Sequence, residues 1–197
     1  GKFLYDNGYI ASDKVSIETG AGIKLLSLIF ENDKCVGARV DMGEPILIPK
    51  KIPVHWNADA MIDEEIPVGG KIYRVTCVSM GNPHAIVFTE NVENLNLQAI
   101  GPLFEHHPLF PSRINTEFVK IIDKNTVNMR VWERGAGETM ACGTGACAVV
   151  VACVLNNYCE REVKVILRGG ELKIRWDGET NRVFMEGPAV EICKGEY

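Results

Sequence analysis

Residues 146–155 read ACAVVVACVL, a run without one polar side chain. It is too short to cross a membrane, and as a helix it has no face to give to water, so the rest of the chain must enclose it. Alternation with a period of two supplies the enclosing material. Val15-Ile17-Thr19, Val36-Ala38-Val40-Met42, Tyr73-Val75-Cys77 and Val127-Met129-Val131 each place apolar residues on one face of a strand. Further strands are expected at 23–30, 86–89, 116–122, 163–167, 171–176, 183–186 and 190–193, between turn signals such as Arg168-Gly169-Gly170 and Asp177-Gly178. Two helices are expected in the body of the chain, a short one over 97–106 and the apolar one after Cys142. Phe3-Leu4-Tyr5 ahead of Asn7-Gly8 reads as the last turn of another. The sum is an α+β domain whose strands wrap a central helix.

The remaining bulk properties exclude more than they assign. A net charge of -5, with Lys and Arg scattered, gives no basic stripe for nucleic acid, and no apolar run has membrane-spanning length. The seven cysteines are odd in number, and Cys35, Cys77, Cys147, Cys153 and Cys193 fall inside apolar strand or helix patterns. Reduced thiols in a cytoplasmic protein suit that distribution better than disulfides. The first residues, a helix end without a helix before it, lead to the expectation that the chain lacks its own beginning.

Four short segments carry chemistry. The most specific is ERGAGETMACGTGA, residues 133–146, where Cys142 stands among glycines at the start of the apolar helix. A helix N-terminus has unpaired N–H groups and the positive end of the macrodipole, which favour a thiolate and a bound carboxylate alike. In Ser79-Met80-Gly81-Asn82-Pro83-His84, at a strand end, Asn82 can donate and accept hydrogen bonds and His84 can exchange protons near neutral pH. In Arg113-Ile114-Asn115, Asn115 can hold an ammonium or a carboxylate. Glu133-Arg134 offers a counter-charge for an ammonium beside a bidentate grip for a carboxylate. Each has a plainer reading: an inert cysteine, a second-layer histidine, a turn asparagine, a solvated ion pair. Cys142, Cys147, Cys153 and Cys159 have no zinc-site spacing, and His106-His107 reads as a solvent-facing loop.

Taken together, ERGAGETMACGTGACA, MGNPH, RINTEF and the tail over 187–190 resemble diaminopimelate epimerase along the whole chain. That resemblance implies a two-domain fold, each domain a strongly curved sheet wrapped round a central helix, with the first domain incomplete here. Residues 1–41, rejoined by 188–197, would be the remnant of the first domain, and 42–187 the second. It implies a cofactor-independent epimerase that interconverts LL- and meso-diaminopimelate, in lysine and cell-wall precursor biosynthesis, with neither metal nor pyridoxal. Cys142 would be acid or base on one face of the α-carbon, and His84 and Glu133 would modulate cysteine pKa values. Asn82, Asn115, Glu133, Arg134, Gly143 and Thr144 would bind substrate. The family's first cysteine lies in a Cys-Gly-Asn-Gly motif, which is not in this sequence, so the polypeptide alone is expected to be inactive. A cytoplasmic homodimer is implied as well. Two alternatives stay open: a noncatalytic half-protein that binds an amino acid or a partner, and a related proline-type racemase. The Glu133-Arg134 pair suits a substrate with a second amino-acid head and so favours diaminopimelate.

Overall fold

The computed structural model describes residues 1–19 and 22–193. In chain order the elements are α1 (Lys2–Asp6), β1 (Lys14–Thr19), β2 (Gly22–Glu31), β3 (Lys34–Gly43), β4 (Glu64–Val68), β5 (Lys71–Ser79), β6 (Pro83–Phe88), α2 (Leu97–Glu105), β7 (Asn115–Asp123), β8 (Thr126–Glu133), β9 (Gly137–Thr139), α3 (Gly143–Leu155), β10 (Glu162–Leu167), β11 (Gly170–Trp176) and β12 (Val183–Pro188). Hydrogen bonding runs through the order β1-β2-β3-β12-β11-β10-β8-β7-β6-β5-β4, with β9 attached to β8. Neighbours are antiparallel except β6 with β7 and β8 with β10. A parallel pair needs a crossover, and these two crossovers contain α2 and α3.

Those crossovers explain why β5 to β8 are buried on both faces. Val78, Ile86, Val119 and Val131 point to α3, while Cys77, Ala85, Phe118 and Trp132 point to Leu97 and Phe104 of α2. Residues 145–153 of α3 are buried throughout, and the helix touches β5, β6, β7, β10, β11 and β12. This is the enclosure that an all-apolar helix requires. A smaller cluster of Val15, Leu28 and Cys35 lies under Leu4 and Tyr5 of α1. β12 joins the regions, pairing with β3 on one side and β11 on the other. Where β3 and β12 meet, a Cβ on Gly37 would lie 2.5 Å from the carbonyl oxygen of Gly187, so only glycine fits there.

One expectation needs correction, and two strands were not expected. Residues 190–193 form no strand. After Pro188 the Ala189 N–H bonds to the Val36 carbonyl, and the chain then leaves the ladder with Val190 and Ile192 exposed. Cys193 is exposed with them. Strand β4 was hidden by its sequence, EEIPV, because Pro67 argues against a central strand. The structure places β4 at the end of the sheet path, where a missing N–H is tolerated. Strand β9 is three residues long, too short to give a period.

Candidate active site

Cys142 is the N-cap of α3, in extended backbone conformation, and its carbonyl accepts the first helical bond from Ala146 at 2.9 Å. Its side chain caps nothing. The N–H groups of the first turn, Gly143 to Gly145, therefore lack intrahelical partners beside the sulfur. The Cys142 Sγ lies 3.6 Å from the Thr144 hydroxyl. Two glycines allow close approach. A Cβ on Gly143 would come within 3.0 Å of Met185 Sδ on β12, and one on Gly145 would lie 2.5 Å from Glu117 Oε1 and 3.3 Å from Cys142 Cβ.

The segment leading to Cys142 is fixed from outside. Glu138 of β9 takes hydrogen bonds from Arg130 at 2.8 Å and Arg168 at 2.7 Å, which hold its carboxyl below the usual range, and Gly169 N–H bonds to the Met140 carbonyl. Beyond β8 the loop is clamped by Glu105 of α2. It accepts from Trp132 Nε1 at 2.7 Å, Gly135 N–H at 2.9 Å and the Arg113 guanidinium at 3.2 Å. Burial pushes the Glu105 carboxyl up, but these bonds outweigh it and the net shift is downward.

The other expected residues converge on the same end of the sheet. His84 is the second residue of β6 and is fully buried. Its Nδ1 lies 2.7 Å from Glu117 Oε1 on β7, and its Nε2 lies 3.1 Å from Asn82 Oδ1. Asn115 is opposite His84 in the parallel ladder. It donates to the Pro83 carbonyl at 2.7 Å and accepts from the Arg134 backbone N–H at 2.9 Å, tying the Asn82 turn to the end of β8. One amide N–H and one oxygen lone pair of Asn115 remain. Glu133 accepts the Thr139 hydroxyl. Arg134 donates to the Ser112 carbonyl at 3.0 Å, is otherwise exposed, and forms no ion pair among the described residues. His106 faces solvent, whereas His107 is a turn clasp: its Nδ1 accepts from Leu109 N–H and its Nε2 donates to the Pro67 carbonyl.

Burial pushes the Cys142 thiol up to about 12. The negative charges of Glu117 and then Glu133 add to this, while the Thr144 hydroxyl and the Gly145 N–H pull the other way. The helix terminus thus acts in the expected direction but does not win: the resting group is a thiol and not a thiolate. Cys142 is 7% exposed. Half-buried Glu133, Gly143 and Thr144 lie beside it, with exposed Arg134 next to Glu133 in sequence. The surface hollows on β3, β11 and β12, lined by Arg39, Phe184 and Glu186, involve none of these residues.

Glu105 and Glu117 are the site-supporting residues that sequence reasoning missed. Both had a signal. Glu117 shares strand parity with apolar Val119 and Ile121, and Glu105 shares helix spacing with buried Leu97 and Gly101.

Comparison with known proteins gives the chain's family and fold. The family model described as diaminopimelate epimerase matches residues 76–192. A diaminopimelate epimerase of Desulfovibrio desulfuricans is 53% identical over 203 residues, covering 100% of this chain and 71% of its own. That of Methanococcus maripaludis is 55% identical over 196 residues with the same coverage. Among solved structures, a hydroxyproline epimerase from Agrobacterium vitis aligns with a TM-score of 0.68 at 15% identity, over 95% of this chain and 60% of that one. A PhzF family protein of Bacillus anthracis gives 0.59 at 16%, over 94% and 69%. At such identities the solved structures establish the fold alone; the full-length sequence relatives and the matched model establish kinship. This chain belongs to the diaminopimelate epimerase family of isomerases.

Proposed function

We propose that residues 1–197 carry one side of the proton-transfer machinery that interconverts LL- and meso-diaminopimelate, with Cys142 as the group on that side. The observation that carries the reading is the position of Cys142 at an uncapped helix N-terminus, where open amides and a thiol share one small space. Inverting an α-carbon without an electron sink means removing a weakly acidic proton from one face and delivering another to the opposite face. The amides of Gly143 and Thr144 would bind the α-carboxylate and take up the charge that grows onto it as the C–H bond breaks. A resting thiol makes Cys142 the donor in the first half-turnover. It gives its proton to the carbanion and is left as the base for the reverse direction.

Asn82 and Asn115 would orient the substrate's near end, and Glu133 and Arg134 would engage its second amino-acid head. His84 and Glu133 would tune the sulfur. None of these roles calls for a metal or an organic cofactor. The opposite face needs a second cysteine, which the resemblance places in the Cys-Gly-Asn-Gly motif that residues 1–197 do not contain. The division into a first unit of 1–41 with 188–197 and a second of 42–187, the cytoplasmic location and the homodimer belong to the same proposal.

Two measurements test it. Incubated with LL-diaminopimelate, the 197-residue polypeptide should yield no meso product by chiral chromatography, and its appearance would refute the one-sided assignment. LL-diaminopimelate should slow alkylation of Cys142, followed by peptide mass. Protection by proline but not by diaminopimelate would transfer the assignment to a proline-type substrate, and protection by neither would leave a noncatalytic half as the better description.

A further inference from the structure

Buried side-chain oxygens without a partner are rare in folded proteins. Among the described residues only Thr116 Oγ1 and Glu117 Oε2 qualify. Glu117 is 0% exposed, as is His84, whose Nδ1 its other oxygen meets at 2.7 Å. The histidine faces two acceptors, the carboxylate at Nδ1 and the Asn82 carbonyl oxygen at Nε2, so both ring nitrogens are in position to donate. Gly145 leaves room beside the same carboxylate: the place a Cβ would take at 145 lies 2.5 Å from Glu117 Oε1 and 3.3 Å from Cys142 Cβ, so both side chains border that one space. The four side chains thus form one file, Asn82, His84, Glu117 and Cys142, with Gly145 as the gap that lets the last two approach. A larger residue at 145 would displace the carboxylate from the thiol.

We propose that Glu117 is a positioning residue of this site: it holds His84 and the Asn82 turn in place and stands across Gly145 as the buried negative neighbour of the Cys142 sulfur. This rests on the assignment of Cys142 as the reacting group. A negative charge there makes a second one, a thiolate, costly until substrate arrives. The thiol therefore stays loaded with its proton between turnovers. The Gly143 and Thr144 amides stay open for a carboxylate instead of being spent on a resting thiolate. The groups that bear on the sulfur are Glu117 from β7, Glu133 from the end of β8, and from α3 the Thr144 hydroxyl, the Gly145 N–H and Cys147 one turn on. Of these, Glu117 is the fully buried carboxylate.

The test is the pH profile of Cys142 alkylation by iodoacetamide, a neutral reagent, in the unchanged chain and in Glu117→Gln, read by peptide mass. With near-UV circular dichroism showing that Trp132 and Trp176 keep their packing, the variant's profile should move to lower pH, with alkylation about tenfold faster at a fixed pH below the inflection. Superimposed profiles overturn the proposal, and so does a lowered melting temperature with no change in the profile, which would leave Glu117 a merely structural role. Should Glu117→Gln not fold, nitrogen-15 spectra of His84 in the unchanged chain decide. A protonated Nδ1 supports the pair as drawn, and a bare Nδ1 means that the carboxyl group has kept the proton and overturns it. Neither readout requires substrate. Failure of diaminopimelate to protect Cys142 would strike the functional reading alone.

Discussion

Helices α2 and α3 both cross between parallel strands, yet they begin and face their surroundings in opposite ways. α2 starts at Asn96, whose Oδ1 accepts the Ala99 N–H at 3.2 Å, and it leaves Leu103 half in water. α3 starts at a cysteine that caps nothing and is enclosed along its length. A capping side chain is worth about 1 kcal/mol, so α3 forgoes stability where its open amides are needed. The better packed helix is the one with the unsatisfied end, and that end is where Cys142 and the proposed site lie.

The comparison can be broken most sharply at the two helical glycines. A Cβ on Gly101 of α2 would fall 2.2 Å from the Trp132 ring, which is hemmed in by Glu105 and cannot retreat. Gly101→Ala should destabilise the protein by about 3 kcal/mol in denaturant titrations. In α3, Gly145→Ala meets a carboxylate instead and should cost about 2 kcal/mol, while loosening the His84–Glu117 contact, visible in the His84 ring shifts. If both variants melt like the parent, neither helix is seated as described.

Changing caps gives a smaller effect of opposite sign in the two helices. Cys142→Asn should raise stability by about 1 kcal/mol as it removes the thiol, whereas Asn96→Ala should lower it by about the same amount. A fall for Cys142→Asn would mean that the N–H groups of α3 already have partners.

The last effect shows only at alkaline pH. The folded Cys142 thiol titrates at about 12, above its ordinary value of 9.0. The folded chain therefore binds this proton more tightly than the unfolded chain. The associated stability is complete below 9.0 and is lost as pH rises toward 12. Cys77 and Cys147, raised by burial, add to the same trend. The decline in melting temperature with alkaline pH should accordingly be shallower in Cys142→Ala than in the parent, and equal slopes would contradict the shift.

Much of this was legible in the chain, and the failures have physical causes. The alternation in 127–131 marked β8, and 116–122 was marked as a strand by its apolar content between turn signals. The run after Cys142 marked its own helix by having no polar side. Residues 190–193 alternate equally well, but alternation shows only which faces a strand would have, and the chain leaves the β3 ladder after Ala189. Glu117 was passed over because a single acid in a strand is ordinarily on the wet side. Its placement on the dry side follows from α3 packing there, an event set by residues far along the chain. The same holds for Cys142: its location at a helix start was readable, but its protonation depends on burial under Met185 and beside Glu117, which no local pattern encodes.

The position of β12 between β3 and β11 has a consequence for biosynthesis. Arg39 and Glu186, which face each other across that seam, are 147 residues apart in sequence. A ribosome adds roughly 5–20 residues per second, so the β3 edge waits on the order of ten seconds for its neighbour. Throughout that interval a nascent chain displays an unzipped ladder of N–H and C=O groups, which invites pairing with other polypeptides. Production in the cell should for that reason be sensitive to chaperone supply and to translation speed over the codons between β3 and β12, even where the finished molecule is robust.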